Sequence, residues 1–161
     1  MQREITGFRQ DEVGDWVAEL GCHHRQHVRH RPPFRERAWV ETAQGRGEHV
    51  GTTLDCPLCD RAELPDGLVV ARTAGPFDES TLPAGLRRDH RVADGTWAIL
   101  RVRSGVAHFT MQTEPEMSLD VRGGESQPIP PGVLHAVALT AGSIEVDFLL
   151  PQARAERALG S

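Results

Sequence analysis

Polar and apolar positions alternate through ITGFRQ (residues 5–10) and DWVAEL (15–20), on either side of the turn-like DEVG. Alternation with period two around a polar turn predicts a β-hairpin, which delivers Gly21 and Cys22 at its far end. An Arg- and His-rich loop with Pro32 and Pro33 follows, then a predicted strand over residues 38–42 and a Gly-containing stretch leading into DCPLCD (55–60). Beyond residue 62 the pattern changes. GLRRDH (85–90), TWAILRVR (96–103), VAHFTMQ (106–112), MSLDV (117–121), SQPIP (126–130), VLHAVAL (133–139) and SIEVDFLL (143–150) are short runs separated by VADG, RSG, TEPE, RGGE, PPG and TAG. Short strands at such spacing predict an antiparallel sandwich or small barrel. Helical signal is confined to residues 153–161, where a last amphipathic turn and a frayed tail fit the residues equally.

The segment ELPDGLVVARTAGPF (63–77) brings Pro, Gly and polar punctuation directly after the last Cys, so the predicted boundary separates residues 1–62 from 63–161. A chain of 161 residues, with 39% hydrophobic and 25% charged residues, suffices for one ordinary domain or two small ones and excludes a large multidomain enzyme. No apolar run reaches the roughly 18 residues of a membrane span, and the start, MQREITGFRQ, lacks a signal-type apolar stretch. The expectation is a soluble, cytoplasmic protein without membrane contact. Every basic residue is Arg; Lys, Tyr and Asn are all absent, a pattern read as nucleotide bias in the source genome, so Arg content alone says little about phosphate binding. The net charge of -5 divides into -1 for residues 1–62 and -4 for the remainder.

All three Cys and five of the eight His lie before residue 62. Cys56-Pro-Leu-Cys59 has the C-x2-C spacing that lets two thiolates reach one tetrahedral metal, and Cys22-His23-His24 supplies a second half. A Cys3His set of this softness favours zinc, with no open coordination position, and so a structural role. His24, on the same side of an extended turn as Cys22, is the preferred fourth ligand, and His27 the second choice. A redox C-x-x-C fits less well because no βαβ pattern surrounds it. The order GFRQDEVGDWVAELGCHHRQHVRHRPPFRERAWV…LDCPLCDR resembles a small bacterial domain family of unknown function over about residues 5–61. Its members carry Cys-Gly-His, Gln-His-Val-Arg-His with Pro-Pro, and a closing Cys-Pro-Leu-Cys. The resemblance implies Gly at position 23, where this chain has His, and so leaves the ligand role to His24. The loop HHRQHVRHRPPFRER holds five Arg and four His against Glu36, a composition that suits nucleic-acid backbone contact as well as an ordinary solvated loop, with Phe34 and Trp39 as the nearby aromatics.

In the second part, Gly124-x5-Pro130-x-Gly132-x2-His135 resembles the second motif of cupin barrels, in which a Pro/Gly turn aims a His into the barrel mouth. The first cupin motif is incomplete: His90 is present, but Val92 and Ala98 occupy its second His and Glu positions, with Gly105 at the hairpin. More specifically, LPAGLRRDHRVADGTWAILRVRSGVAHF, IPPGVLHAV and IEVDFLL resemble the small cupin family related to tellurite-resistance protein B, over about residues 64–151. That resemblance implies a pocket pair of His90 and His135, with Asp147 as a candidate third ligand. Such a two-His-one-carboxylate set would suit a second divalent metal with open positions. Trp97 is read as barrel core or pocket wall and His108 as surface, while Arg87, Arg88 and Arg101 are candidates for holding an anion at the mouth. The resemblance also implies homodimers.

The expected fold is therefore mainly β: a zinc-ribbon-like module, then a cupin-like antiparallel β-barrel. Two functions follow from it. One is a metal-binding protein that takes a small anionic or oxidised ligand in a stress or tellurite-detoxification setting, with catalysis left open. The other is a sensor or adaptor whose basic module contacts nucleic acid or a partner protein.

Overall fold

The hairpin expected from the alternating N-terminal segments is present in the computed structural model, which describes residues 1–159. Strand β1 (Gln2–Gln10) pairs antiparallel with β2 (Trp16–Leu20). The turn between them is fixed by Asp11, whose Oδ1 accepts the backbone N–H of Val13 at 3.0 Å and of Asp15 at 2.9 Å. Strand β3 (Arg25–His27) adds to β2 and β4 (Thr53–Asp55) adds to β1, giving the order β3-β2-β1-β4. Ile5, Val17, Leu20, Val28 and Val40, with the small Ala18, are the buried aliphatic residues of this unit, a small set for an independent core.

The strand expected over residues 38–42 is instead a 3-10 helix, Ala38–Glu41, and the Gly-containing stretch after it is helix α1 (Ala43–His49). Thr42 starts α1, its Oγ1 accepting the Gly45 N–H at 3.0 Å. Gly45 weakens the helical signal, since glycine in a helix costs roughly 0.5–1 kcal/mol against alanine. Here no larger residue fits, because a Cβ at position 45 would lie 2.3 Å from the Trp39 carbonyl oxygen. Trp39 in turn stacks on His49, with ring centroids 3.8 Å apart. Helix α2 (Pro57–Asp60) follows β4. The chain divides into two compact units, Met1–Leu58 and Cys59–Ser161, the division falling inside this single turn of helix.

The second unit is one antiparallel sheet of β5 (Leu68–Phe77), β6 (Trp97–Met111), β7 (Met117–Arg122), β8 (Ser126–Ile129) and β9 (His135–Pro151). Its order is β5-β9-β6-β7, with β8 also paired to β6. The segment 63–77, whose Pro and Gly served only to mark the domain boundary, thus contributes a full edge strand. Gly75 and Pro76 fall at an irregularity in its pairing with β9, between Ala74 and Phe77, where a missing N–H is tolerated on an edge. GLRRDH is not a strand: it forms turns, and only His90 makes a bridge, to His135.

The predicted turns RSG and TAG are not turns either. Strands β6 and β9 run straight through them as one long ribbon, paired from Trp97↔Leu149 to Met111↔His135. At its middle Gly105 lies opposite Gly142, with φ of 76° and 104°. A Cβ at 105 would sit 1.9 Å from the Ala141 oxygen, and one at 142 would sit 2.0 Å from the Ser104 oxygen. Bulges flank the pair on both strands. This is a corner at which the ribbon turns, and it lets β6 pair with β8 along its first half and β7 along its second. Helix α3 (Gln152–Leu159) ends the described chain, and residues 160–161 of the predicted tail lie outside the described residues.

Candidate metal centre and ligand cavity

The short connection between β2 and β3 brings the first half of the metal cluster together. Leu20 N–H donates to the His24 carbonyl at 3.0 Å and His23 N–H to the Leu20 carbonyl at 2.7 Å, closing a tight turn over residues 21–24. Its apex, His23, has φ 69°, the left-handed region that glycine enters without strain. A glycine at this step, as the family resemblance implies, would enter that region without the strain His23 bears. In metal-loaded protein, His23→Gly is expected to be more stable than His23→Ala by about 1 kcal/mol, measured by denaturant titration; equal stabilities would remove the argument from φ.

Cys56 stands directly before α2, with Pro57 at the first helical position, and Cys59 is one turn on. The ligand atoms of Cys22, His24, Cys56 and Cys59 all lie within 4.8 Å of one another, and all four residues are buried. His24 Nδ1 is 3.5 Å from Cys22 Sγ and 3.4 Å from Cys56 Sγ, and the two sulfurs are 3.9 Å apart. Tetrahedral bonds of about 2.3 Å to sulfur and 2.05 Å to nitrogen would place S···S near 3.8 Å and S···N near 3.6 Å. The cluster thus has the edge lengths as well as the donor chemistry to hold a tetrahedral metal ion. Burial works against protonation of His24, but the sulfurs of Cys22 and Cys56 hold its pKa up at about 9, so a metal would take the place of that proton. His27 and His30 are elsewhere. His27 Nε2 meets Asp11 Oδ2 at 2.8 Å, and His30 Nδ1 accepts the Arg37 N–H at 3.0 Å.

In the second unit His90 and His135 come together as a pair. Each donates its backbone N–H to the other's carbonyl at 3.0 Å, and their ring centroids are 4.0 Å apart. Two further bonds, Val137 N–H to the Leu86 carbonyl and Gly132 N–H to the Val92 carbonyl, both 2.9 Å, strap the irregular segment between β5 and β6 along the start of β9. His135 Nδ1 lies 2.8 Å from the Val133 carbonyl and His90 Nδ1 3.2 Å from the Arg88 carbonyl. Donation there leaves each Nε2 with its lone pair. Burial pushes the His135 pKa down to about 4, against the Val133 hydrogen bond and with some help from His90, so the ring is neutral at physiological pH.

The His pair ends a cavity of about 220 Å³ whose other walls include Leu100, Ile129, Val137 and Val146. A wider space of about 520 Å³ shares Arg91, Val92 and Phe148 with it and is also lined by Arg72. The Arg72 guanidinium lies over the Phe148 ring at 4.2 Å.

Asp147 does not join the His pair. It lies an even number of residues beyond His135, so strict alternation puts both on one face. Between them, however, Val106 and Ala107 pair with Ala141 and Leu139, leaving Thr140 as an extra residue. One extra residue reverses the facing of everything after it. Ile144, Val146 and Phe148 thus line the cavity, while Asp147 accepts from Thr73 Oγ1 at 2.6 Å and Arg101 Nε at 2.5 Å. Burial alone would raise the Asp147 pKa, yet these hydrogen bonds hold it below the usual carboxylate range. Two imidazoles without a third protein donor fall short of the three ligands typical of an open metal site, and the Cys/His cluster is the one such group of three or more among the described residues.

Trp97 is fully buried on the face of β6 that carries Ile99 and Arg101, opposite Ala98 and Leu100, and is core and not cavity wall. Arg101 is engaged by Asp147, and exposed Arg88 contributes its carbonyl to His90. His108 is exposed and pairs with Asp120 at 2.8 Å. The arginines at the cavity are instead Arg91, adjacent to His90 in sequence, and Arg72, in the segment that marked the domain boundary.

Fold and sites together define a mainly β protein of two modules, one built around a Cys3His cluster and one around a His-ended cavity. Residues 6–63 match a family described as protein of unknown function (DUF3565), and residues 72–148 match the TehB-like domain. The chain is thus a DUF3565 domain followed by a TehB-like domain, the latter a tellurite-resistance-related family. A crystal structure of a protein from Escherichia coli strain K12 is similar over 55% of this chain and 95% of that one, at 18% identity and a TM-score of 0.49. The crystal structure of TehB from Haemophilus influenzae is similar over 53% of this chain, at 20% identity and a TM-score of 0.47. This chain spans only 32% of that TehB chain. No curated protein sequence matches. Among the described residues, no helix is long and apolar enough to cross a membrane.

Proposed function

We propose that this chain is a zinc-stabilised binding protein whose cupin-like second module takes up a small anionic or oxidised molecule, in a setting related to tellurite resistance. The observation that carries the reading is the cavity itself: an enclosed apolar space ended by two imidazoles and flanked by Arg72 and Arg91. Zinc at Cys22, His24, Cys56 and Cys59 serves structure, since four protein ligands leave no position for a reacting molecule. Metal analysis together with anion titration of the purified protein tests both parts. One zinc per chain is expected, lost in Cys56→Ser and kept in His135→Ala. Binding of at least one anion, from a panel of tellurite, sulfate and organic carboxylates, should weaken in Arg91→Ala. If no anion in the panel binds, the ligand-binding reading fails.

A second reading, an adaptor that contacts single-stranded nucleic acid, draws on one feature of the first module. Phe34 is 90% exposed at the tip of the basic loop, between Arg31 and Arg35, whose backbones bond to each other at 2.8 Å. Its neighbours contribute less, because Arg29 is paired with Asp15 and His27 with Asp11. An oligonucleotide affinity that does not fall with added salt would remove it.

A further inference from the structure

The cavity and the space outside it differ in chemistry, and the difference specifies the kind of anion. The inner space is walled by Leu100, Ile129, Val137, Ile144 and Val146, and its polar end consists of His90 and His135. An apolar cavity of about 150 Å³ suffices for a benzene ring; this one holds about 220 Å³. A bare oxyanion placed there would lose its hydration against mostly aliphatic carbon, with Arg91 the one cation in the lining. The second cation is further out. Arg91 lines both spaces, and Arg72 lies over Phe148, a residue also common to both. Among the described residues, no carboxylate lines either space and neither Arg72 nor Arg91 forms an ion pair. Two guanidinium groups without counter-ions at the mouth of an apolar cavity make a built arrangement for a carboxylate head on an apolar body.

We infer that the ligand of the second module is an organic carboxylate, its apolar body of about one aromatic ring seated in the cavity that β6, β9 and residues 86–92 line and its head against Arg91 and Arg72. This rests on the ligand-binding reading above and narrows it, because a small inorganic oxyanion would fill only the outer space. The sequence names neither arginine as a ligand residue, and the β5 strand that carries Arg72 is visible only in the fold.

The test uses the full-length zinc-loaded protein and three probes in calorimetric titration: 3-phenylpropionate, its uncharged counterpart 3-phenylpropanol, and tellurite. The expected result is binding of 3-phenylpropionate about tenfold or more tighter than of the alcohol, the effect of a hydrogen bond to a charged group. The acid should lose that advantage in Arg91→Ala and in Arg72→Ala. Leu100→Trp, which fills the inner cavity, should abolish binding of both phenyl probes. Val69→Ala, at an exposed position on β5 away from the lining, should leave binding unchanged and so control for general damage. Tellurite binding that depends on Arg91, with no binding of 3-phenylpropionate, would overturn this inference while leaving the anion-binding reading intact. Equal binding of acid and alcohol would overturn the role of the arginines, and no binding of any probe would count against both.

Discussion

Stripping the metal from the Cys22, His24, Cys56 and Cys59 cluster is expected to unfold the first module and leave the second folded. The first unit buries few large aliphatic side chains, and domains of about 60 residues with such cores usually depend on a staple. A structural zinc of this kind contributes roughly 10–16 kcal/mol, while whole domains are stable by about 5–15 kcal/mol. No plausible remainder survives its loss. Removal also leaves three thiols and a His with a pKa of about 9 buried against one another, a polar cluster without its neutralising centre. The three Trp indole N–H resonances report the two modules separately. On chelation, or in Cys56→Ser, those of Trp16 and Trp39 should move to random-coil positions while that of Trp97 stays dispersed. Metal-free protein with all three signals unmoved would show that the cluster does not hold the module together.

Gly142→Ala should be, with its partner Gly105→Ala, among the most damaging single methyl additions in the second module. Holding a non-glycine residue at its φ of 104° costs roughly 1–3 kcal/mol. The new Cβ must also displace the Ser104 carbonyl, 2.0 Å away in the facing strand. The combined loss is expected to exceed about 3 kcal/mol, a fall in Tm of about 10 °C or more for a unit of this size. Gly124→Ala separates the two causes. Its φ is 90° but nothing lies within 4 Å of an added Cβ, so it should show the backbone cost alone. Equal falls in Tm for the two variants would mean that the ribbon has room to relax and that the corner is not fixed by contact.

Both predictions rest on residues visible in the sequence, but only one was visible for the right reason. Metal chemistry demands particular side chains at particular separations, so Cys22, His24, Cys56 and Cys59 stand out in a linear reading. The β1–β2 hairpin was legible because two alternating segments flank a polar turn, even though an irregularity between Ile5 and Gly7 interrupts the pairing. Gly105 and Gly142 were legible as glycines and misread as turns, since a turn and a sharp bend in a continuous strand call for the same freedom at φ. Asp147 entered the pocket set through family resemblance alone, and the extra residue at Thr140 turns it away from the cavity. Gly75 and Pro76 concealed β5, and with it Arg72, because edge strands tolerate residues that central strands exclude. The pairing of His90 with His135 was accessible only through family resemblance, since their approach depends on backbone bonds between segments 45 residues apart.

Those bonds bear on how fast a ligand can come and go. Leu86, His90 and Val92 belong to the strap that walls one side of the cavity, and four backbone hydrogen bonds to β9 and the turn before it hold that strap in place. Parting of these bonds would widen the cavity on that side, so the rate of ligand exchange is expected to rise with any variant that weakens the strap.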